Sequence, residues 1–248
     1  MTIAIVAAMP EELAPLRARL VAASSHQHGG LSVERGRLGG REVALAATGD
    51  GARNARAGVA ELLAASGAEA LVVLGVSGAL SPDLGTADLI VASRVTDEEG
   101  LARVADAARL AATTRATGGR SAVVMSARRI ADSAGEKRRL AEQAGPGLAV
   151  VDLESAAYVA AAVARAIPWV VLRAVSDRAD ENLPALLNRS LDSGGAVNRG
   201  RVLRGLFADP GALPQLLALR KRVGQCALVL ARAAEAALPA CAATRGGA

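Results

Sequence analysis

The sequence predicts an α/β protein of three layers, α/β/α, with a mixed, mostly parallel central sheet and further helices at the C-terminal end. Short apolar runs rich in β-branched residues alternate with longer segments of helical spacing, an order typical of parallel sheets with crossover helices. The length of 248 residues suits one undivided domain of this class, so residues 1–248 are predicted to form a single domain. A hydrophobic content of 52 % is enough to fill a large core.

The first part of the chain is predicted to contain a strand, a helix, a hairpin and a second helix. Residues 2–8 are apolar and rich in β-branched side chains, which is typical of a buried strand. Pro10 favours the first turn of a helix directly afterwards. Two short runs within residues 31–48 flank a glycine pair and predict a hairpin. The turn over residues 48–51 opens a helix that continues to about residue 66 and ends at Gly67.

The middle of the chain is predicted to add two strands and a helix. Residues 70–76 form a buried strand that ends in the small-residue turn Ser77-Gly78-Ala79. Residues 88–95 form a further strand. Residues 99–112 have helical spacing, and residues 113–120 are predicted to be a loop because they are rich in threonine and glycine.

The last part of the chain continues the alternation and then becomes helical. Three strands and two helices are predicted in turn over residues 121–126, about 133–144, 148–152, 154–166 and 168–175. A short helix near residues 199–207 and a long one over about 211–238 follow. The helical C-terminal extension over residues 198–238 is too short for its own core, so we expect it to pack on the sheet or on another subunit.

The charge pattern does not favour nucleic-acid binding, although the net charge is +5. Lys137 and Lys221 are the only lysines, and the arginines are interspersed with acids. Aromatic residues make up only 1 % of the chain, so side chains on which bases could stack are scarce. Runs such as Arg138-Arg139 are interpreted as solvated helix faces.

Cysteine, histidine and apolar segments indicate neither a metal site nor a membrane protein. Cys226 and Cys241 lie outside metal-ligand spacing, and no disulfide framework is indicated. His26 and His28 lie in a stretch rich in glycine and serine that is predicted to be an exposed loop. We find no basic leader and no run of about 18 uncharged apolar residues. The sequence therefore predicts a cytoplasmic protein with no membrane span.

Two carboxylates follow apolar runs that are predicted to be buried strands. Glu154 comes soon after the run that ends at Asp152, and Asp177 follows the run that begins at Trp169. Open α/β sheets bind ligands at the carboxyl ends of their strands, where two acids could hold a hydroxylated ligand and donate a proton. The alternative is that each acid only begins or caps a helix, because acids favour first helical turns.

Five motifs occur in a fixed order along residues 1–180, and they are Ile5-Val6-Ala7-Ala8-Met9-Pro10-Glu11-Glu12, Thr48-Gly49-Asp50-Gly51, Gly75-Val76-Ser77-Gly78-Ala79-Leu80 with Gly85-Thr86-Ala87-Asp88, Asp152-Leu153-Glu154-Ser155-Ala156-Ala157, and Arg173-Ala174-Val175-Ser176-Asp177. With this layout, the chain resembles the purine and uridine phosphorylase superfamily, which includes the methylthioadenosine/S-adenosylhomocysteine nucleosidases. The resemblance implies the nucleoside phosphorylase-like fold and cleavage of the N-glycosidic bond of a purine nucleoside. It also implies a reaction without metal or organic cofactor, and a homo-oligomer, most simply a dimer.

The resemblance also implies roles for individual residues. Glu154 matches the ribose-binding glutamate. Asp177 matches the general acid that protonates the purine, and we expect burial to raise its pKa. Ser176 is expected to orient Asp177. Glu12, rather than its neighbour Glu11, matches the acid that activates water. Arg173 matches a residue beside that water, and its alternative is a structural ion pair with Glu12 or Glu154.

The remaining matched positions would contact substrate or a nucleophile. Leu153, where the family has methionine, would lie beneath the ribose, and the other predicted substrate contacts are Met9, Val76, Ser77, Gly78 and Ser176. Val76 replaces a polar residue of the family, which leaves a nucleoside-binding protein without turnover as one alternative.

Hydrolysis and phosphorolysis are both open at this point. The acids Glu11 and Glu12 would repel phosphate, which favours water. Backbone N–H groups around Gly49 and Gly51, with Arg53, could instead bind phosphate at a helix N-terminus. A phosphorolytic alternative is a nucleoside with a bulky apolar 5′ group, as in the hopanoid-associated phosphorylase-like members that the C-terminal extension resembles.

Overall fold

The computed structural model describes residues 1–190 and 210–242. Its strands are β1 (Thr2–Ala7), β2 (Val21–His28), β3 (Leu31–Leu38), β4 (Arg41–Ala47), β5 (Ala70–Ala79), β6 (Leu89–Asp97), β7 (Ala102–Val104), β8 (Arg120–Ser126), β9 (Ala149–Asp152) and β10 (Trp169–Asp177). Its helices are α1 (Pro10–Arg17), α2 (Ala52–Ser66), α3 (Ala107–Thr117), α4 (Ala134–Ala144), α5 (Ser155–Ala164), α6 (Leu186–Arg189) and α7 (Leu213–Ala242), which a 3-10 turn (Pro210–Ala212) precedes.

All of these strands belong to one mixed sheet, in the order β10-β6-β8-β9-β5-β1-β4-β3-β2, with β7 beside β6. Strand β5 also pairs with β10, so β5, β9, β8, β6 and β10 form a closed circuit. Parallel pairing joins β5 to β1 and β10, β1 to β4, and β8 to β6 and β9. The hairpin predicted within residues 31–48 is present as β3 and β4, which pair antiparallel.

The side chains of the central strands alternate between two cores, as the period of two in a strand requires. In β1, Ala4 and Val6 point into one apolar cluster and Ile3, Ile5 and Ala7 into the other. Helices α2 and α5 contribute to the first cluster, and α1 and α7 contribute to the second. The predicted arrangement of helices on both faces of a mixed sheet is confirmed.

Local signals correctly predicted the limits of α2. Gly51 precedes the helix with a φ of 85°, and Gly67 ends it in the left-handed conformation with a φ of 60°. Both values favour glycine over any residue with a side chain. Between these glycines, Ala55, Val59 and Leu62 form the buried face at helical spacing.

The predicted turn Ser77-Gly78-Ala79 is wrong, because β5 continues through these residues. Ser77 and Gly78 pair with the end of β10, and Gly78 and Ala79 pair antiparallel with β9. Small residues here allow two strands to approach closely rather than ending the sheet.

The prediction for residues 99–120 is also wrong in its boundaries. Residues 102–104 form the short strand β7, and the helix lies later, at α3. The side chain of Asp106 accepts a hydrogen bond from the backbone N–H of Arg109 at 2.8 Å, which caps the helix start. Gly118 ends α3 with a φ of 68°, so most of the predicted polar loop is helical.

His26 and His28 lie in strand β2 rather than in the predicted loop. The strand is exposed along its whole length and pairs only with β3, so it carries no apolar alternation that could predict it. His28 Nε2 lies 3.5 Å from Glu61 Oε2. Within residues 1–190 and 210–242, no group of three His, Cys, Asp or Glu residues is placed to hold a metal ion.

Helix α7 packs on the sheet, which was one of the two positions expected for the C-terminal extension. It contacts α1, α3, β5 and β10, and its buried residues include Cys226, Leu230, Ala234 and Leu238. By length and mean hydropathy, α7 is the one described helix that could cross a membrane, but half of the apolar window is buried in the molecule, as in a core helix. Cys226 and Cys241 are free thiols. The helix predicted near residues 199–207 lies outside the described residues.

Candidate active site

A cavity of about 650 Å³ lies where β1, β5, β9 and β10 end, and it brings the three predicted acids together. Glu12, Glu154 and Asp177 all line it, although they lie far apart in the chain. Six further predicted substrate contacts also line it, namely Met9, Val76, Ser77, Gly78, Leu153 and Ser176. The volume is within the range of small-molecule sites.

Glu12 is held at the start of α1 with both carboxylate oxygens in use. Oε2 accepts a hydrogen bond from the N–H of Met9 at 2.9 Å, and Oε1 accepts one from the N–H of Val76 at 2.8 Å. Glu12 is only 2 % exposed. Burial raises its pKa above the ordinary value, while Arg173 and the two N–H groups oppose that shift. Glu11, by contrast, is exposed at the cavity, which favours the Glu12 register.

Glu154 reaches the cavity from the N-cap position, directly before α5. Its Oε1 accepts a hydrogen bond from the N–H of Gly51 at 2.7 Å, which fixes the carboxyl group against the start of α2. Burial and the nearby Asp152 raise the pKa of Glu154 to about 8, against the lowering effect of Arg173. The pKa of this carboxyl group thus lies well above that of an ordinary glutamate.

Arg173 lies behind the cavity wall rather than in it, and its partner is Asp152, not Glu12 or Glu154. The guanidinium forms an ion pair with Asp152, and its Nη2 donates to Ser155 Oγ at 2.9 Å. Burial alone would lower the pKa of Arg173, but the charges of Asp152, Glu154 and Glu12 raise it overall. Arg173 is thus a fixed positive charge beneath two site acids.

Asp152 is a site residue to which the sequence analysis gave no role. Its Oδ1 accepts a hydrogen bond from Ser126 Oγ at 2.7 Å, and its Oδ2 accepts one from the N–H of Ser155 at 3.1 Å. Asp152 also lines the cavity. Its position two residues before Glu154, at the end of a strand, was the signal that could have indicated its role.

Asp177 is 3 % exposed, and each of its two carboxyl oxygens accepts a hydrogen bond, one from a hydroxyl group and one from an ammonium group. Ser176 Oγ donates to Oδ1 at 2.6 Å, as the expected orienting role requires. The Nζ atom of Lys137 donates to Oδ2 at 2.6 Å. A buried ammonium group thus lies against Asp177, which the expectation of burial alone did not include.

Lys137 is therefore the main functional residue that sequence reasoning missed. It is fully buried on α4, on the same face as Leu140 and Ala144. The signal was present, because a lysine at this spacing points toward the core in a chain whose other cations, apart from Lys221, are arginines.

Two small residues of β5 complete the wall beside Asp177. Ser77 is buried, and among the described residues its Oγ has no hydrogen-bond partner, so a ligand could satisfy it. A Cβ atom on Gly78 would lie 2.9 Å from Asp177 Oδ2, so glycine leaves the room that this carboxylate occupies. Val76 contributes its N–H to Glu12 rather than a polar side chain to the cavity.

The predicted phosphate site is not formed by the residues proposed for it. The N–H of Gly51 is bound to Glu154, and the N–H of Gly49 donates to Ala8 O at 2.9 Å. Arg53 is exposed, and none of these three residues lines the cavity. The start of α2 is thus occupied by a carboxylate of the protein itself.

The residues that line the cavity are mostly either acidic or apolar. Six acids line it, namely Glu11, Glu12, Asp50, Asp152, Glu154 and Asp177, and Arg220 is the only basic residue among its described lining residues. The apolar lining is formed mainly by Ile130, Leu183, Leu187, Leu216, Leu219 and Val223.

A family model, curated relatives and solved structures are similar to this chain. The model of the Phosphorylase superfamily matches residues 2–194. The 5′-methylthioadenosine/S-adenosylhomocysteine nucleosidase of Mycobacterium tuberculosis is 35 % identical over 98 residues, which are 40 % of this chain and 38 % of the relative. The enzyme of that name from Colwellia psychrerythraea is 26 % identical over 231 residues, covering 83 % of this chain and 95 % of the relative.

A solved structure shows the same fold over nearly the whole chain. The 5′-methylthioadenosine/S-adenosylhomocysteine nucleosidase of Neisseria meningitidis, in complex with methylthio-immucillin-A, superposes with a TM-score of 0.77 at 19 % identity. The superposition covers 96 % of this chain and 98 % of the other. In sequence, however, the chain spans about two fifths of the length of the Mycobacterium relative.

Proposed function

The chain belongs to the phosphorylase superfamily, and we propose that it cleaves the N-glycosidic bond of a purine nucleoside by hydrolysis, with 5′-methylthioadenosine and S-adenosylhomocysteine as the substrate type. The observation that carries the proposal is the convergence of Glu12, Glu154 and Asp177 on one cavity of about 650 Å³. The names of the relatives support the same substrate type.

Each acid supplies one requirement of the reaction. Glu154 binds the ribose hydroxyls, and in its ionised form it favours the positive charge that develops on the sugar. Asp177 delivers a proton to the purine as it leaves. Glu12 accepts a proton from the water that attacks C1′. Arg173 contacts none of these reacting groups directly and stabilises the acids from behind, through Asp152 and Ser155.

The charge of the cavity favours water over phosphate as the nucleophile. Among its described lining residues there are six acids and one arginine, so the acids that are ionised would repel a phosphate ion. The N–H groups of Gly49 and Gly51, which could have bound phosphate, are already engaged within the protein. Water is neutral and pays no such electrostatic cost.

The apolar part of the cavity favours a second candidate, phosphorolysis or hydrolysis of a nucleoside with a bulky apolar 5′ group. Leu216, Leu219 and Val223 of α7 line the cavity, as do Leu183 and Leu187. The binding free energy becomes more favourable by about 25 cal/mol for each Å² of apolar ligand surface that these leucine side chains shield from water. A short 5′-methylthio group would leave much of this wall uncovered.

The test is release of free purine from adenosine, 5′-methylthioadenosine, S-adenosylhomocysteine and a 5′-alkylthioadenosine with a long chain, each with and without phosphate. We expect release without phosphate. Release only with phosphate would favour phosphorolysis, and a kcat/KM that rises with chain length would favour the second candidate. Binding without release would identify a nucleoside-binding protein, the alternative that Val76 raised.

We also propose a cytoplasmic homodimer. Leu101 and Val104, at and beside the short strand β7, are 56 % and 74 % exposed, which suits a contact surface. Light scattering coupled to gel filtration tests the oligomeric state.

A further inference from the structure

The ammonium group of Lys137 is surrounded by acceptors. Besides Asp177 Oδ2 at 2.6 Å, Nζ donates to the carbonyl oxygens of Arg178 at 2.6 Å and Glu181 at 2.9 Å. An ammonium group has three N–H donors, so all three are used. Lys137 is 0 % exposed, so water cannot replace any of these contacts.

The same three contacts also accommodate the neutral amine. If Lys137 loses a proton to Asp177, its two remaining N–H groups still serve the two carbonyls, and its lone pair faces the new hydroxyl of Asp177. No buried polar group is left without a partner in either state. Arginine could not behave in this way, because a guanidinium holds its proton and spreads its donors over a plane.

We propose that Lys137 supplies the proton that Asp177 passes to the leaving base, so that the acid of the reaction is the pair and not Asp177 alone. This inference rests on the proposed nucleoside cleavage. The glycosidic bond breaks with both electrons going to the base, and the base takes a proton from Asp177. A proton from Lys137 crosses the 2.6 Å contact, which leaves a neutral amine and a carboxylate. The attacking water loses its proton to Glu12, and exchange with solvent restores both groups.

The pair resolves the conflict between the ion pair and the need for an acid. A lysine–carboxylate pair holds the same number of protons as an amine with a carboxylic acid, so the pair can form an ion pair and still present an acid during bond cleavage. Lys137 acts through Asp177 and is a positioning residue in this respect. Ser176 and Lys137 together fix the direction of the carboxylate.

The experiment compares Lys137→Met with Arg138→Gln on two substrates. Arg138 is the next residue of α4 and is exposed, so its variant removes the same charge without touching the pair. One substrate is a purine nucleoside, and the other is the p-nitrophenyl glycoside of the same sugar, whose leaving group needs no proton. We expect Lys137→Met to lower kcat on the purine nucleoside about 100-fold, the usual order for loss of an acid, with KM nearly unchanged.

The p-nitrophenyl glycoside separates the proton from the fold. We expect Lys137→Met to retain kcat on it, because a merely structural role would lower turnover of both substrates alike. Equal losses on both substrates, or full kcat on the purine nucleoside, would overturn the inference. If wild-type protein releases no purine at all, the proposed function fails instead, which is a different result.

Lys137→Arg covers the case in which Lys137→Met does not fold. The arginine keeps a positive charge beside Asp177 but does not give up a proton, so we expect the same selective loss on the purine nucleoside. Full activity of Lys137→Arg would show that charge alone is sufficient.

Discussion

The guanidinium of Arg173 lies directly over Gly75, in the space that any side chain at position 75 would occupy. A Cβ atom built there would collide with Nη1 of Arg173 and would lie 3.3 Å from Glu12 Oε1. The two residues are partners in the pairing of β10 with β5. The absence of one side chain thus allows a buried cation to reach Asp152 beneath the cavity.

Gly75→Ala is expected to displace Arg173 and to lower the free energy of unfolding by about 1–3 kcal/mol, the usual cost of overpacking a core. It should also lower kcat, because Glu12 and Glu154 lose the nearby positive charge. Urea unfolding and steady-state kinetics measure the two effects. Gly85→Ala is the control, since a Cβ atom at position 85 meets no atom within 4 Å. Equal stability of the two variants would contradict this account of Gly75.

Glu12→Gln is expected to reduce water-dependent cleavage by about 100-fold or more, because the amide cannot accept the proton of water. Its NH₂ group would also face one of the two N–H groups that the carboxylate now accepts. Purine release by the variant, assayed without phosphate, gives the measurement. Glu11→Gln is the matched control and should change kcat far less, because Glu11 is exposed. A larger loss in Glu11→Gln would mean that the register is shifted by one residue.

Stability is expected to fall as pH rises from about 4.5 to about 8, through the effect of Glu154. Its raised pKa means that the folded protein keeps a proton that the unfolded chain releases in this window, so the stabilising contribution is complete below the window and lost above it. The slope for one proton is at most about 1.4 kcal/mol per pH unit. Unfolding by urea from pH 5 to 8 should be less pH-dependent in Glu154→Gln than in the wild type. An unchanged slope would argue against the raised pKa.

Asp177→Asn is expected to abolish purine release while nucleoside binding persists. It should also destabilise the protein by about 3–5 kcal/mol, because the ammonium of Lys137 stays buried without its charge partner. Calorimetric titration with 5′-methylthioadenosine and thermal unfolding measure binding and stability. Asp180→Asn removes the same charge from an exposed pair with Arg178 and should leave both quantities nearly unchanged. Full turnover by Asp177→Asn would show that another group is the acid.

Local signals predicted the fold best where a residue type has one structural role. Pro10 begins α1, and Gly67 ends α2, because ring geometry and a positive φ restrict these positions. Strand β2 gave no such signal, since neither of its faces is buried and its polar residues read as a loop. The start of α3 is set by Asp106, whose side chain caps the helix. The sequence did not distinguish Asp106 from other acids, because only the structure shows its hydrogen bond with the N–H of Arg109.

Glu154 and Asp177 were predictable because each lies at or next to a strand end, where an open α/β sheet binds ligands. Glu12 was assigned only from the family resemblance. Lys137 was not predictable, because it lies 40 residues from Asp177 in sequence and on a helix whose neighbouring arginines are exposed. The packing of a helix over a particular strand end is a property of the tertiary structure. The sequence pattern of a single segment does not predict it.

We expect the carboxylates that line the cavity to discriminate among compounds that share a base and a sugar. A nucleotide carries at its 5′ position a phosphate whose charge is close to −2 at neutral pH, whereas the described lining of the cavity has six acids and one arginine. Phosphorylated compounds are therefore expected to bind more weakly than the corresponding nucleosides, without any steric barrier.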